Sequence, residues 1–152
     1  MLGPSPGTHR MVTESTWSLH PQLAAETVSV GDLALSRVLL ANDANYPWLI
    51  LVPRRPGLTE LIDLKPKEQV QLLTEIDAAA RALKSITECE KLNIAAIGNL
   101  VAQLHVHVVA RRHSDAAWPK PIWAVAPPTA YDERSIRGLL SVLRQRLGVA
   151  DV

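Results

Sequence analysis

The chain has no phenylalanine and only one cysteine, Cys89. A lone thiol excludes an intrachain disulfide and fits a reducing compartment, so a cytoplasmic location is expected. Cys89 itself, just after a helical segment and without a base partner, reads as a small packed residue. Long apolar runs are also missing. No stretch reaches the roughly 18 residues of a membrane-spanning helix. Nor does charge of one sign accumulate: 16 Lys and Arg against 15 Asp and Glu leave a net +1. That balance provides no field to draw nucleic acid or an anionic membrane. Met1 to Arg10 lacks the apolar core of a secretory signal. Residues 1–12 read as a disordered tail, with Met11 a second possible start, and residues 13–152 as one domain. A chain of 152 residues should bury roughly 68–70% of its unfolded surface, which is enough for a core without staples.

What is present reads as an α+β domain. His20 to Val30 is a mixed segment that ends at a turn signal, Gly31-Asp32. Leu33 to Ala41 reads as a strand, and Asn42 to Pro47 as a loop by its Asn, Asp and Pro content. Trp48 to Val52 is a short apolar strand halted by Pro53, and it pairs with the preceding strand as a hairpin. From Pro66 to about Glu88, Val70, Leu72, Leu73, Ile76, Ala79, Ala80, Leu83 and Ile86 follow a helical period, with charge opposite. Pro66 suits the first turn. Lys91 to Ile97 and Val101 to Ala110 read as a second hairpin about a Gly98-Asn99 turn. Arg111 to Pro128 is loop-like, and Asp132 to Leu147 is a second helix. Paired strands separated by a helix indicate an antiparallel α+β domain with a long amphipathic helix and a C-terminal helix.

One run concentrates the chemistry: Gln103-Leu104-His105-Val106-His107-Val108-Val109. Its two-residue alternation puts Leu104, Val106 and Val108 on one face and Gln103, His105, His107 and Val109 on the other. A strand would bury the first set and present the second as a polar row, about 7 Å from one side chain to the next. A neutral imidazole whose second nitrogen donates to a fixed acceptor is a nucleophile toward phosphorus. His105 fits that role, with His107 a second phosphate contact and Gln103 a neutral orienter. The same pattern fits a plain polar face. It also fits a metal site, for which His9, His20, His113, Cys89 or a carboxylate would have to supply the third ligand. Arg111 and Arg112 read as solvated, although Arg111 shares the odd-numbered face. Arg54-Arg55 reads as surface.

The run resembles the motif of the histidine triad family, His-φ-His-φ-His-φ-φ, with Gln in the first position. Further similarity lies in Gly98-Asn99-Leu100-Val101, in Asn93, in Pro47 to Pro53, and in the segment from Arg111 to Trp118-Pro119. It spans about Leu33 to Pro119. The resemblance implies a nucleotide hydrolase or transferase in which the middle histidine attacks the α-phosphate and water later releases the nucleoside monophosphate. Carried over, His105 is the nucleophile and His107 the phosphate-side histidine. Asn42 or Asp43 contacts the ribose, Asn99 the phosphate, and Asn93 the phosphate or the far side of the substrate. The resemblance implies no metal or other cofactor. It also implies an antiparallel meander sheet and a homodimer formed through the long helix and its neighbouring strand. Gln103 departs from the motif, so weaker or altered chemistry is expected. Three readings follow: an enzyme working through a His105 adduct, a nucleotide-binding module with little or no catalysis, and a metal-binding protein using His105 and His107.

Overall fold

The computed structural model describes residues 16–152; the expected tail lies outside them. An antiparallel sheet of five strands carries the fold, in the order β1-β2-β3-β5-β4. The strands are β1 (Thr27–Asp32), β2 (Ser36–Ala41), β3 (Trp48–Pro53), β4 (Lys91–Ala95) and β5 (Val106–Arg111). Among the described residues three α-helices accompany them: α1 (Pro21–Glu26), α2 (Pro66–Thr87) and α3 (Glu133–Leu147). The β2–β3 and β4–β5 pairings agree with the two expected hairpins. The sheet is not a simple meander, because β5 inserts between β3 and β4.

Both long helices end where the sequence signals say. Pro66 occupies the first turn of α2, and Glu88 closes it in the left-handed region, donating its N–H to the Lys84 carbonyl. Asp132 caps α3 by accepting from Ser135 N–H, and Gly148 ends it at φ 67°. α2 and α3 cover one sheet face. Val38, Leu40, Leu49, Leu51, Val108 and Ala110 meet Ala79, Leu83, Leu140 and Leu143 there, with Cys89 packed among them as expected. The opposite face carries Leu39, Ala41, Ile50 and Val52 under Leu23 of α1, with Trp17 and Leu19 half-buried beside them.

Three strands start where the sequence reading does not place them, each for a local reason. Thr27–Asp32 is an edge strand although Gly31-Asp32 reads as a turn. Gly31 lies at a register shift, and a Cβ there would stand 2.5 Å from the Ala150 carbonyl and 2.7 Å from the Val149 side chain. Glycine is used for that close approach. β2 starts at Ser36 because Glu75 of α2 takes the N–H groups of Leu35 and Ser36, at 3.1 and 2.7 Å. Glu75, although charged, is buried and faces the sheet. β5 starts at Val106, not Val101. Its last rung to β3 is Leu51↔Val106; beyond that, Pro53 would face Leu104 with no N–H to give.

The Glu75 carboxylate also accepts from Gln71, so it is a buried charge satisfied almost entirely by donors. Glu75→Leu should strand two backbone N–H groups and cost roughly 3 kcal/mol. A lowered urea midpoint with an unchanged m-value would register it.

Candidate active site

His105 lies one residue before β5 and His107 within it. Neither forms an exposed polar row: they are 6% and 7% exposed. The sequence pattern treated one face of β5 as open, but Tyr46, Ala117 and Ile122 pack on Val109, with Trp48 and Trp123 against them. The two imidazole centroids are 4.9 Å apart, nearly perpendicular at 77°.

Their hydrogen bonds fix opposite tautomers. The Nδ1 of His105 lies 2.6 Å from the Gln103 carbonyl. A carbonyl only accepts, so Nδ1 carries the proton and Nε2 keeps its lone pair. Trp48 donates its indole N–H to His107 Nδ1 at 3.0 Å, reaching across the β3–β5 diagonal. An indole N–H only donates, so Nδ1 is bare and the His107 proton sits on Nε2. Burial, with a smaller push from His105, lowers the His107 pKa from 6.5 to about 4. The pair therefore offers one nucleophilic nitrogen and one N–H donor side by side.

Arg111 corrects the sequence reading most sharply. Its side chain is 1% exposed and fully committed. Nε and Nη2 grip the two oxygens of Asp115 at 2.7 and 3.0 Å. Nη2 also donates to the Lys120 carbonyl and Nη1 to Asn93 Oδ1. The guanidinium lies 5.5 Å from the Trp118 ring centroid. Asp115 in turn accepts backbone N–H groups of Arg112, Ala117 and Trp118. Its bond to Arg111 holds the carboxyl down at about 2. This knot shapes the loop that brings Trp123 to within 4.6 Å of the His107 ring.

The other expected residues are placed as follows. Gln103 turns to the N-terminal segment, bonding Ser18 and His20. Asn42 Oδ1 accepts from Tyr131 N–H, and Asp43 Oδ1 from Asn45 and Thr129 N–H, so both brace the chain before α3. Asn93 pairs with Val109, two residues from His107 on the same face. Arg111 takes its oxygen, which leaves the Nδ2 donors to a groove of 640 Å³. Lys91, Asn93, Val109, Pro121 and Trp123 line that groove along the sheet edge. Asn99 is exposed, next to Gly98 at φ 70°. His113 pairs with Glu90 and meets Trp118 edge to face, away from the other histidines' contacts. Among the described residues no three His, Cys, Asp or Glu side chains cluster as a metal site, and His9 lies outside them. Trp48 and Trp123 gave no sequence signal beyond apolar strand and loop; Arg111 gave only its odd-numbered position.

An antiparallel α+β fold with a buried histidine pair of opposed polarity at the start of β5, an interior strand, defines a class, and the chain's similarity to known proteins agrees with it. The HIT domain model matches residues 22–114. The chain belongs to the HIT family. It is similar to a histidine triad protein from Bradyrhizobium japonicum, at 56% identity and TM-score 0.86, over 88% of this chain and 99% of that one. A histidine triad protein from Sinorhizobium meliloti shares 39% identity at TM-score 0.85, over 88% of this chain and 99% of that one. A third, from Marinobacter aquaeolei, shares 39% at TM-score 0.86, over 90% and 100%. No curated protein matches the chain. No helix among the described residues is long and apolar enough to cross a membrane.

The His107 environment has a measurable consequence. The unfolded imidazole takes a proton near pH 6.5 and the folded one near 4. Stability is therefore full above pH 6.5 and falls as pH drops toward 4, by about 3 kcal/mol for this group. Asp115 acts in a lower window, from 3.8 to about 2. Urea melts across pH 4 to 7 should show the upper loss, and His107→Gln should flatten it.

Proposed function

We propose that the protein is a nucleotidyl hydrolase or transferase acting on nucleoside phosphoryl compounds through a covalent adduct on His105. The observation that carries this reading is the opposed pair of tautomers. The His105 Nε2 lone pair attacks the α-phosphorus, and the bond from phosphorus to the leaving group breaks with its electron pair on the leaving atom. His107 Nε2–H donates a hydrogen bond to that atom, which takes its proton from solvent water. The imidazolium formed on His105 keeps its Nδ1–H on the Gln103 carbonyl, which disperses the new charge. Water then attacks phosphorus and loses a proton to solvent, and the phosphorus–Nε2 bond breaks with its electron pair returning to His105, which frees the nucleoside monophosphate. In a transferase another hydroxyl takes the place of water.

Further residues fall into place in this reading. Asp43 has one carboxylate oxygen engaged with the backbone, and the second serves a ribose hydroxyl, with Asn42 bracing the loop. Asn99 reaches the phosphate from its exposed position. Asn93 presents its amide donors to the phosphate or to the leaving group in the adjoining groove. No metal or other cofactor enters the chemical step. The exposed Val70 and Leu73 of α2 and Ile94 of β4 are apolar surface for a second copy of the chain, making a homodimer, and the cytoplasm is its expected location.

Turnover of a nucleoside phosphoramidate and of a dinucleoside polyphosphate tests the reading. His105→Ala should lower kcat by about 10,000-fold or more, and acid-quenched wild-type enzyme should carry a nucleotidyl mass on His105. Turnover that survives the substitution, or a change confined to KM, would defeat the nucleophile assignment. Nucleotide binding without turnover would favour a binding module instead.

A further inference from the structure

Gln103 stands where the family motif has its first histidine, and both ends of its amide are in use. Oε1 accepts the His20 N–H at 2.9 Å, and Nε2 donates to the Ser18 carbonyl at 2.8 Å. The amide thus bridges the residues on either side of Leu19, as a parallel neighbour strand would. Residues 16–20 form an extended strap whose exposure alternates, with Trp17 and Leu19 turned inward. Those two pack on Leu39, Ala41, Ile50 and Val52, and Arg37 lies 5.2 Å from the Trp17 ring centroid.

The backbone of Gln103 faces the other way in this arrangement. Its carbonyl receives His105 Nδ1–H, and the N–H of the same peptide unit, from Leu104, donates to the Leu58 carbonyl at 2.9 Å. No sheet rung holds this peptide, because β5 begins only at Val106. Side-chain and loop contacts must therefore set the direction of the carbonyl. We infer that Gln103 is a positioning residue: its amide locks the N-terminal strap to the peptide whose carbonyl fixes the tautomer and aim of His105.

Histidine could not take this role. A neutral imidazole has one donor and one acceptor diverging from a rigid ring, and a protonated one would point a donor at the His20 N–H. A primary amide sets its oxygen and its NH₂ side by side, facing the strap's N–H and carbonyl together. Gln at this position is then a device for docking the strap, not a damaged catalytic group. The kinetic part of the inference rests on His105 being the nucleophile; the tautomer part does not.

The test uses the full chain with Gln103→Met, which keeps length and loses both bonds; Gln103→His; and Trp17→Ala, which loosens the strap from its far side. Long-range nitrogen NMR of the histidine rings should show His105 in wild type with a protonated Nδ1 and a bare Nε2. In Gln103→Met and Trp17→Ala it should become a mixture of tautomers, while His107 keeps its proton on Nε2. With a phosphoramidate, kcat should fall roughly 10- to 100-fold in both, with KM within about twofold. The double variant should fall little further than either alone, because both act through one contact. Gln103→His should be slower than wild type. Should Gln103→Met not fold, Trp17→Ala and Gln103→Glu, which replaces the donor to Ser18 with a charged acceptor, read the same signals. A single unchanged His105 tautomer in the folded variants, or a Gln103→His enzyme faster than wild type, would overturn the inference. If wild type turns over no substrate, the proposed function fails while the NMR result still decides the positioning role.

Discussion

Two imidazoles held side by side under aromatic cover cannot both be charged cheaply, and that constraint organises the site. His107 answers it by staying neutral. Its burial and the His105 ring beside it oppose protonation, and the Trp48 indole already uses the nitrogen that would take the proton. A neutral His107 can sit 4.9 Å from a ring that would become cationic in the proposed reaction. The Gln103 carbonyl and the Trp48 indole then assign the two protons. A neutral His107 avoids the desolvation cost of a buried ion.

The cover over that pair is built from irregular chain. One sheet face has two helices; the other has α1, the strap and the loop that follows β5. Loops alone would leave buried polar groups unpaired. Arg111 and Asp115 meet that need from inside, since one guanidinium and one carboxylate together bind a side-chain amide and four backbone groups. Asp43 does the same at the other end, fastening residue 129 beside the β2–β3 turn. Charged side chains here act as the skeleton of a loop that has no secondary structure of its own.

Much of this was legible in the sequence and some was not, along a physical line. The helices show because their period, caps and stop signals are local. β3 and the two hairpin pairings show for the same reason. The nucleophile candidate shows because alternation and residue type coincide at His105 and His107. What stayed hidden depends on partners far along the chain. β1 hides its strand character behind Gly31, whose reason is the C-terminal Val149 and Ala150. Glu75 looks like a solvated helix residue until Leu35 and Ser36 are folded against it. Arg111 looks solvated until Asp115 and Asn93 close on it. Gln103 reads as a member of the histidine row because no local signal announces a bond to Ser18.

Arg144 of α3 carries one more consequence. Its guanidinium donates to the carbonyls of Ser29 and Val30 on β1, and the residues just after the helix lie against Gly31. The C-terminal helix thus occupies acceptors at the edge of the sheet where the N-terminal half begins. β4, at the other edge, has a half-exposed isoleucine and an adjoining groove. The molecule is polarised across its strands: one margin is sealed by its own chain end, and the other is the side on which another strand could be added.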